Sequence, residues 1–459
     1  MALIERLHAT YGNRIGKLEV RIEALEAQNA RLRKDSSNSH KPPSSDIVKP
    51  PRPAPRRGKK RKRGGQPGHS RHERPSFLPH EIDEIRNYAL DRCPDCGGVL
   101  KPGSAPPGVV QQVELVQKPV IVTEHRAPTY WCPHCQKLHR APLPDGVRAA
   151  GLVGPRLTAL VAWLKGGAHA SYTTIQTLLR DVLEVRLSRG QLVRLVQKAR
   201  GALQPAYAEL RAALPLTGRV IVAETVHKER GKNLWTWVFR APQYCLFRID
   251  RSRGSKVLVE MLGKEFDGVL GCDYFSAYRK YMGDLSVQVQ FCLAHLVRDV
   301  KFLTTLEGST RKYGERMLEG LRKLFRVIHR RDRMPPERFQ AALERERKNI
   351  MHAARHPPHT REARNMAQRF RRHGESYFRF ITTPGVEPTN NLAEQALRFV
   401  VIDRRITQGT RGEAGRAWCE RVWTAGATCR QQGRSLYEFL CRALDAHFNA
   451  HPAPSLLAA

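Results

Sequence analysis

Negative charge is scarce in this chain: 43 Asp and Glu stand against 79 Lys and Arg in 459 residues, a formal net charge of +36, and the pI is near 10.4. That imbalance exceeds what solubility requires and points to a polyanionic partner, either nucleic acid or an anionic membrane surface. Long apolar runs are missing too. None approaches the roughly 18–20 residues of a spanning helix, and the N-terminus lacks the apolar stretch of a signal peptide. The two shortages together favour nucleic acid, no membrane, and a soluble, cytoplasmic protein. Ten cysteines are few for a disulfide scaffold of this length, and four of them form two Cys-x-x-Cys pairs, which favours metal over disulfides.

Single hydrophobic cores stop growing near ~250–300 residues, so a chain of this length implies several modules. Ile4, Leu7, Tyr11, Ile15, Leu18, Ile22, Leu25 and Leu32 recur in steps of three and four, as in a coiled-coil seam. The double four-step at Leu7, Tyr11 and Ile15 resembles a stutter, and Asn29 falls on the seam, where a buried Asn fixes register and a two-stranded state. A dimerisation helix over 1–36 is expected; a solitary amphipathic helix is the plainer alternative. Residues 37–75 are rich in Ser, Pro, Gly and charge and read as a basic disordered linker. Its run Arg56, Arg57, Lys59, Lys60, Arg61, Lys62 and Arg63 suits phosphate contacts without sequence preference, although such a run can also be solvated linker.

Cys93-Pro-Asp-Cys96 is followed by Gly97, and 35 residues lie between Cys96 and Cys132, which opens Cys132-Pro-His-Cys135. Thiolates two residues apart can reach one metal from a tight turn, and two such turns make a closed four-sulfur zinc site with a structural role. The Val- and Ile-rich stretch 109–123 is expected to form strands between the two turns. The spacing is longer than usual, so a redox pair or unrelated pairs are the competing readings. A zinc-binding module over 76–148 follows from this pattern.

Residues 149–212 are apolar at helical spacing. Ser188 is placed to cap a final helix carrying Arg189, Arg194 and Lys198. A helix-turn-helix reading and a plain helical bundle both fit.

From 213 the texture changes to short strands, expected at 220–223, 234–239, 244–249, 269–273 and 287–292, with helices at 256–262 and after 293. Three meandering strands, then helix, strand, helix and strand is the order of an RNase H-like sheet. The expected fold class is therefore multidomain α+β: an RNase H-like α/β core over 213–300 and 385–425, a basic helical insertion over 301–384 and a C-terminal helical segment over 426–459. Acids at the tips of the first and fourth strands of such a sheet can hold two Mg²⁺ for phosphoryl transfer. Asp273 ends the fourth expected strand, though an Asp there can also simply cap the next helix. A third acid is expected on a late helix. Glu394 lies three and four residues from Asn391, Asn390, Leu397 and Arg398, so an amide, a carboxylate and a guanidinium can share one helix face.

Several segments together resemble the bacterial insertion-sequence family of transposases numbered sixty-six, the TnpC-like DDE transposases. They are Ser36-Ser37-Asn38-Ser39 with Pro42-Pro43-Ser44-Ser45, Gly65-Gln66-Pro67-Gly68-His69, both cysteine pairs, Gly271-Cys-Asp273-Tyr-Phe-Ser-Ala-Tyr278, Cys292-Leu-Ala-His295-Leu-Val-Arg298-Asp299, and Pro388-Thr-Asn-Asn391-Leu-Ala-Glu394. The resemblance covers nearly the whole chain. It implies an N-terminal zipper, a zinc-binding module, a helix-turn-helix and a DDE nuclease core that cuts and rejoins transposon ends; the expected protein is a DNA-binding homodimer associated with the bacterial nucleoid, with accessory transposition proteins as candidate partners. It also implies that Asp273 and Glu394 are the second and third catalytic acids. Cys292 and His295 resemble a Cys-x-x-His signature of related families, with Arg298, Asn390 and Asn391 as supporting residues.

One position departs from the family. Its first strand ends in Asp-Glu-Thr, and the matching residues are Ala223-Glu224-Thr225. Successive strand residues face opposite ways, so Glu224 does not simply replace the missing acid. The expectation is a transposase impaired as written; the alternative is a non-catalytic DNA-binding regulator derived from one. A zinc-dependent nuclease is disfavoured because the cysteine site leaves no open position.

Overall fold

The computed structural model describes residues 2–32, 76–101, 108–116 and 119–457. The basic run 56–63 and the segments at 36–45 and 65–69 lie outside the described residues. Two compact units are distinguished: Arg52–Glu124, and Met1–Pro51 together with His125–Ala459.

The N-terminal periodicity forms one continuous helix, α1 (Ala2–Leu32). Tyr11, Ile15, Leu18, Ile22 and Leu25 of the seam are each more than half exposed, and Asn29 is exposed as well. The side chains of Ile4, Leu7 and Leu32 lie outside the described ones.

In the unit Arg52–Glu124, a single 3-10 turn at Pro79–Glu81 is the regular element among the described residues. The strands expected over 109–123 are not there: 108–116 and 119–123 are irregular. Their apolar side chains find no facing layer, for Val110 and Ile121 are 93% and 94% exposed. A β-branched run without a partner surface has nothing to stabilise it as a sheet. The strands occur later, as the hairpin β1 (Thr129–Cys132) and β2 (Lys137–Arg140), which brackets the second cysteine turn.

Next come α2 (Asp145–Ala150), α3 (Pro155–Gly166), α4 (Tyr172–Leu183), α5 (Arg189–Ala202) and α6 (Gln204–Ala213). The cap on α5 is as the sequence implies: Ser188 Oγ accepts from Gln191 N at 3.2 Å while Gln191 Oε1 accepts from Ser188 N at 2.7 Å, a reciprocal capping box. Arg189 and Arg194 are exposed. Lys198 has another task. Its ammonium donates to Ala149 O at 2.7 Å and Ala150 O at 2.8 Å, satisfying carbonyls at the end of α2.

Residues 145–166 also correct the expectation about apolar length, since by length and composition this stretch suffices to cross a membrane. It is broken between α2 and α3, and Ala159, Val161 and Ala162 of α3 are fully buried, as in a core helix.

The central sheet contains β3 (Arg219–Glu229), β4 (Lys232–Arg240), β5 (Cys245–Asp250), β6 (Val269–Cys272) and β7 (Gln288–Phe291) in the order β5-β4-β3-β6-β7. The β3–β4–β5 meander is antiparallel, β6 joins β3 in parallel, and β7 joins β6 in parallel. Parallel neighbours need crossovers, supplied by α7 (Lys256–Leu262) before β6 and α8 (Ser276–Leu285) before β7. Beyond β7 lie α9 (Leu293–Leu303), then α10 (Gly308–Ile328), α11 (Pro336–Arg355), α12 (Arg361–His373) and α13 (Arg379–Thr382), the basic helical stretch. The chain then returns through α14 (Asn391–Thr407) and α15 (Glu413–Gln431) and ends with α16 (Leu436–Phe448). The divisions expected at 300/301 and 425/426 fall inside α9 and α15.

The edge strand β5 is closed by side chains rather than by another strand. Thr428 Oγ1, Thr424 Oγ1 and Glu420 Oε1 of α15 accept from the backbone N–H groups of Cys245, Phe247 and Ile249 at 3.1, 3.0 and 2.7 Å. Four residues of helix rise ~6 Å and two residues of strand ~6.6 Å, so the two repeats stay in step. The arrangement removes an exposed edge that would otherwise pair with other chains.

Candidate functional site

Ile221 is paired with Gly271 in the parallel register of β3 and β6. Extended by two residues beyond its last pair, that register would bring Ala223 level with Asp273, which lies one residue past the end of β6 rather than on it. There β6 leaves the sheet while β3 continues with β4. Asp273 Oδ1 accepts from Phe275 N at 2.9 Å, which turns the chain into α8.

Three backbone ties gather the other candidates at this end. Cys292 N donates to Cys272 O at 2.7 Å, Leu293 N to Pro388 O at 2.9 Å, and Asn390 N to Cys292 Sγ at 3.4 Å. The ends of β6 and β7, the first turn of α9 and the entry to α14 are thereby stitched together. Glu394, in the first turn of α14, lies 3.4 Å from His295 Nε2 and 3.9 Å from Arg298 Nη2, both on α9. A guanidinium beside Glu394 therefore comes from Arg298. Arg398 and Asn391 are exposed, whereas Asn390 is buried ahead of the helix, and the side chains that reach Glu394 come from the second helix, α9. The carbonyl oxygen of the Asn390 side chain is buried without a hydrogen-bond partner, the kind of atom that accepts from a ligand. Burial raises the Cys292 thiol to about 11, so at neutral pH it is a packed, uncharged group.

Glu224 points to the opposite face from Ala223. Its side chain is 4% exposed; Oε1 accepts from Arg253 Nε at 3.0 Å and Nη2 at 2.8 Å, and Oε2 accepts from the Tyr278 hydroxyl. Burial first, and then the Asp273 carboxylate, push its pKa above the ordinary range, while Arg253 and Tyr278 pull it back. Arg253 in turn lies over the rings of Trp235 and Phe275, 4.5 and 3.9 Å from their centroids. This clamp was not legible in advance, because it joins residues from β3, the loop between β5 and α7, and α8. On the Ala223 face, Arg404 of α14 donates to Val226 O and reaches Thr225 Oγ1.

The cysteine turns were legible. Gly97 N donates to Cys93 O at 2.8 Å and Cys93 N to Gly98 O at 3.0 Å, and Gly97 takes φ +72°, where a side chain would be strained. Backbone N–H groups of Asp95 and Cys96 hold the Cys93 thiol below its usual value; those of Cys135 and His134, with the Cys135 side chain, do the same for Cys132. Turns that stabilise thiolates fit zinc. Cys135 Sγ is also 3.3 Å from His139 Nε2. Cys93 and Cys96 belong to one compact unit, Cys132 and Cys135 to the other. Among the described residues, no group of three or more His, Cys, Asp or Glu is gathered as a metal cluster.

A five-stranded mixed sheet with acidic residues at its carboxyl end, on a chain that also carries two thiolate-stabilising turns, defines a mixed α/β protein with a zinc-finger segment. Family models carry the identification further. The model described as transposase IS66 family matches residues 150–417, the zinc-finger binding domain of transposase IS66 matches 91–136, and a family of unknown function matches 1–75. The first spans more than half of the chain, which therefore belongs to the IS66 family of transposases. No curated protein matches the chain.

Proposed function

We propose that the chain is a DDE-type DNA transposase whose catalytic set is incomplete at Ala223. The observation that carries this reading is the β3–β6 register, which runs toward Ala223 and Asp273 at the end of the sheet where Glu394 also enters. The strand order β5-β4-β3-β6-β7 supports an RNase H-like core. Oxygen donors of Asp273 and Glu394 suit magnesium, and an alanine at 223 offers no donor. Bound magnesium would supply activation of the attacking oxygen and stabilisation of the leaving one. His295 and Arg298 orient Glu394, while Arg253 and Tyr278 keep Glu224 engaged on the other face.

Cys93, Cys96, Cys132 and Cys135 are the proposed structural zinc ligands. The exposed Arg189 and Arg194 of α5, Arg398 and the basic run 56–63 are proposed contacts to double-stranded DNA, with α4–α5 as a helix-turn-helix. The exposed seam of α1 favours a homodimer. Accessory transposition proteins and a cytoplasmic, nucleoid-associated location follow from the same reading.

The test is cleavage of transposon-end DNA in magnesium. The unaltered chain is expected to bind DNA and barely cut it. Ala223→Asp restores several kcal/mol of transition-state stabilisation, roughly a thousandfold or more in rate, and Asp273→Ala in that background abolishes it. Robust cutting by the unaltered chain would show that 223 is not the first catalytic position.

A further inference from the structure

A groove of about 510 Å³, with an apolar floor of Phe302, Leu303 and Met366 and charged and amide side chains around it, opens beside the end of β6, between α8–α9 on one side and α12 of the helical insertion on the other. Its first residue, Tyr274, directly follows Asp273. The Tyr274 ring lies under two guanidiniums, with Arg369 at 3.8 Å and Arg279 at 4.7 Å from its centroid. Arg369 is fixed from behind by Asp299 at 2.6 Å and by the Tyr377 hydroxyl, yet its Nη2 is buried without a hydrogen-bond partner. Arg372 stands one turn further along α12, and the amides of Asn365 and Gln368 are exposed on the same wall.

Charge is graded along this groove. Glu362 lies at the N-terminal end of α12, two turns before Arg369; Asp299 is offset by Arg369; Arg369 and Arg372 occupy the C-terminal end. That end is tied to Tyr274 through His373, whose ring centroid is 5.8 Å from that of Tyr274. The positive end is thus the one beside Asp273. A groove of this volume is in the lower part of the range for small-ligand sites and too small for a double helix. Guanidiniums suit phosphodiesters, exposed amides suit base edges, and rings beside arginines suit unpaired bases.

We propose that this groove seats a single DNA strand running on from the carboxylate site, with Arg279 and Arg372 on its phosphates and Asn365 and Gln368 along its bases. The proposal rests on the DNA-transposase reading and adds a task for the helical insertion: it holds the unpaired strand, and duplex affinity is supplied elsewhere.

The experiment measures binding of the full chain to a fluorescent blunt duplex and to the same duplex with a single-stranded extension. The extension is expected to tighten binding about tenfold. Arg279→Ala with Arg372→Ala removes that gain and leaves blunt-duplex affinity within about twofold, whereas the paired lysine variants keep most of it, because phosphate contact depends chiefly on charge. Arg372→Ala alone, at an exposed position, serves if the double variant does not melt as the parent does, and a halved gain is then expected. No gain in the parent, an unchanged gain in the variants, or equal weakening on both DNAs overturns the groove assignment while duplex binding stands. Failure to bind either DNA overturns the DNA reading along with it.

Discussion

Residues 77–124 and residues 145–457 keep their apolar side chains in opposite places. In the first stretch Tyr88, Val99, Val110 and Ile121 are each more than nine-tenths exposed; in the second Trp237, Phe239, Phe247 and Phe291 are buried to 1% or less. The second stretch can hold itself together by burial, at ~25 cal/mol per Å² of apolar surface. The first has the mutual hydrogen bonds of Phe77 and Gln111, at 2.6 and 3.1 Å, and the turn at Cys93, but among its described residues no side chain is buried. Small segments of that kind are ordinarily held by metal, and metal binding there is folding energy. The two stretches therefore depend on different physics and should fail under different insults.

The largest expected effect sharpens that contrast. Chelating zinc, or replacing Cys93 with Ser, should open 77–140 to protease while the melting of 145–457 scarcely moves. Metal analysis should give about one zinc per parent chain and a clear loss in the variant. A joint collapse of both stretches would mean that they share a core.

Within the packed stretch, Arg253→Ala should cost about 2–3 kcal/mol of unfolding free energy. It leaves the Glu224 carboxylate buried without its cation, a loss of ~3–5 kcal/mol for a fully buried pair, discounted here because the Arg253 side chain is 38% exposed. Urea denaturation checks this, and Glu224→Gln in the same background should recover part of the loss.

A smaller effect depends on pH. His227 is buried between Thr410 Oγ1 at 3.0 Å and Thr236 Oγ1 at 3.2 Å, and burial lowers its pKa from 6.5 to about 4. A depressed folded-state value means that its contribution is present above pH ~6.5 and is lost as pH falls toward 4. Between pH 7 and 5 the parent should lose about 2 kcal/mol more than His227→Gln. Parallel pH slopes in the two proteins would remove His227 as the cause. Smallest for the core is removal of residues 1–36, which should leave its melting and the zinc content unchanged while weakening self-association in sedimentation. A truncated chain that stays dimeric when dilute would place the interface elsewhere.

Much of the packed stretch is legible in advance because its periods are strong. The five strands occur close to where alternation and β-branched runs put them, although β3 runs on to Glu229, six residues past the end expected at 223, and Ser188 caps α5 because Ser with Gln three residues later satisfies two orphan N–H groups. The strands read into 109–123 fail because composition reports a preference for pleated surface without saying whether a second surface exists to cover it. Lys198, on the same capped helix as Arg189 and Arg194, holds the end of α2, a contact between helices that spacing within α5 does not encode. Glu394 is on its helix as expected, but Arg298 beside it comes from α9, a contact that helical spacing within α14 cannot encode.

What the sequence determined by itself is local: the basic excess, the two cysteine turns with Gly97 in its left-handed conformation, the helix caps, and the alternation that turns Ala223 and Glu224 to opposite faces. These depend on charge, backbone sterics and a repeat of two. Only the tertiary structure decided which strands and side chains come together: β3 beside β6 in the register that runs toward Ala223 and Asp273, Glu394 against His295 and Arg298, and Glu224 clamped by Arg253 and Tyr278. Those pairings cross ~30 to 100 residues of chain, and packing selects them because a buried charge or donor is costly until a partner from another element reaches it.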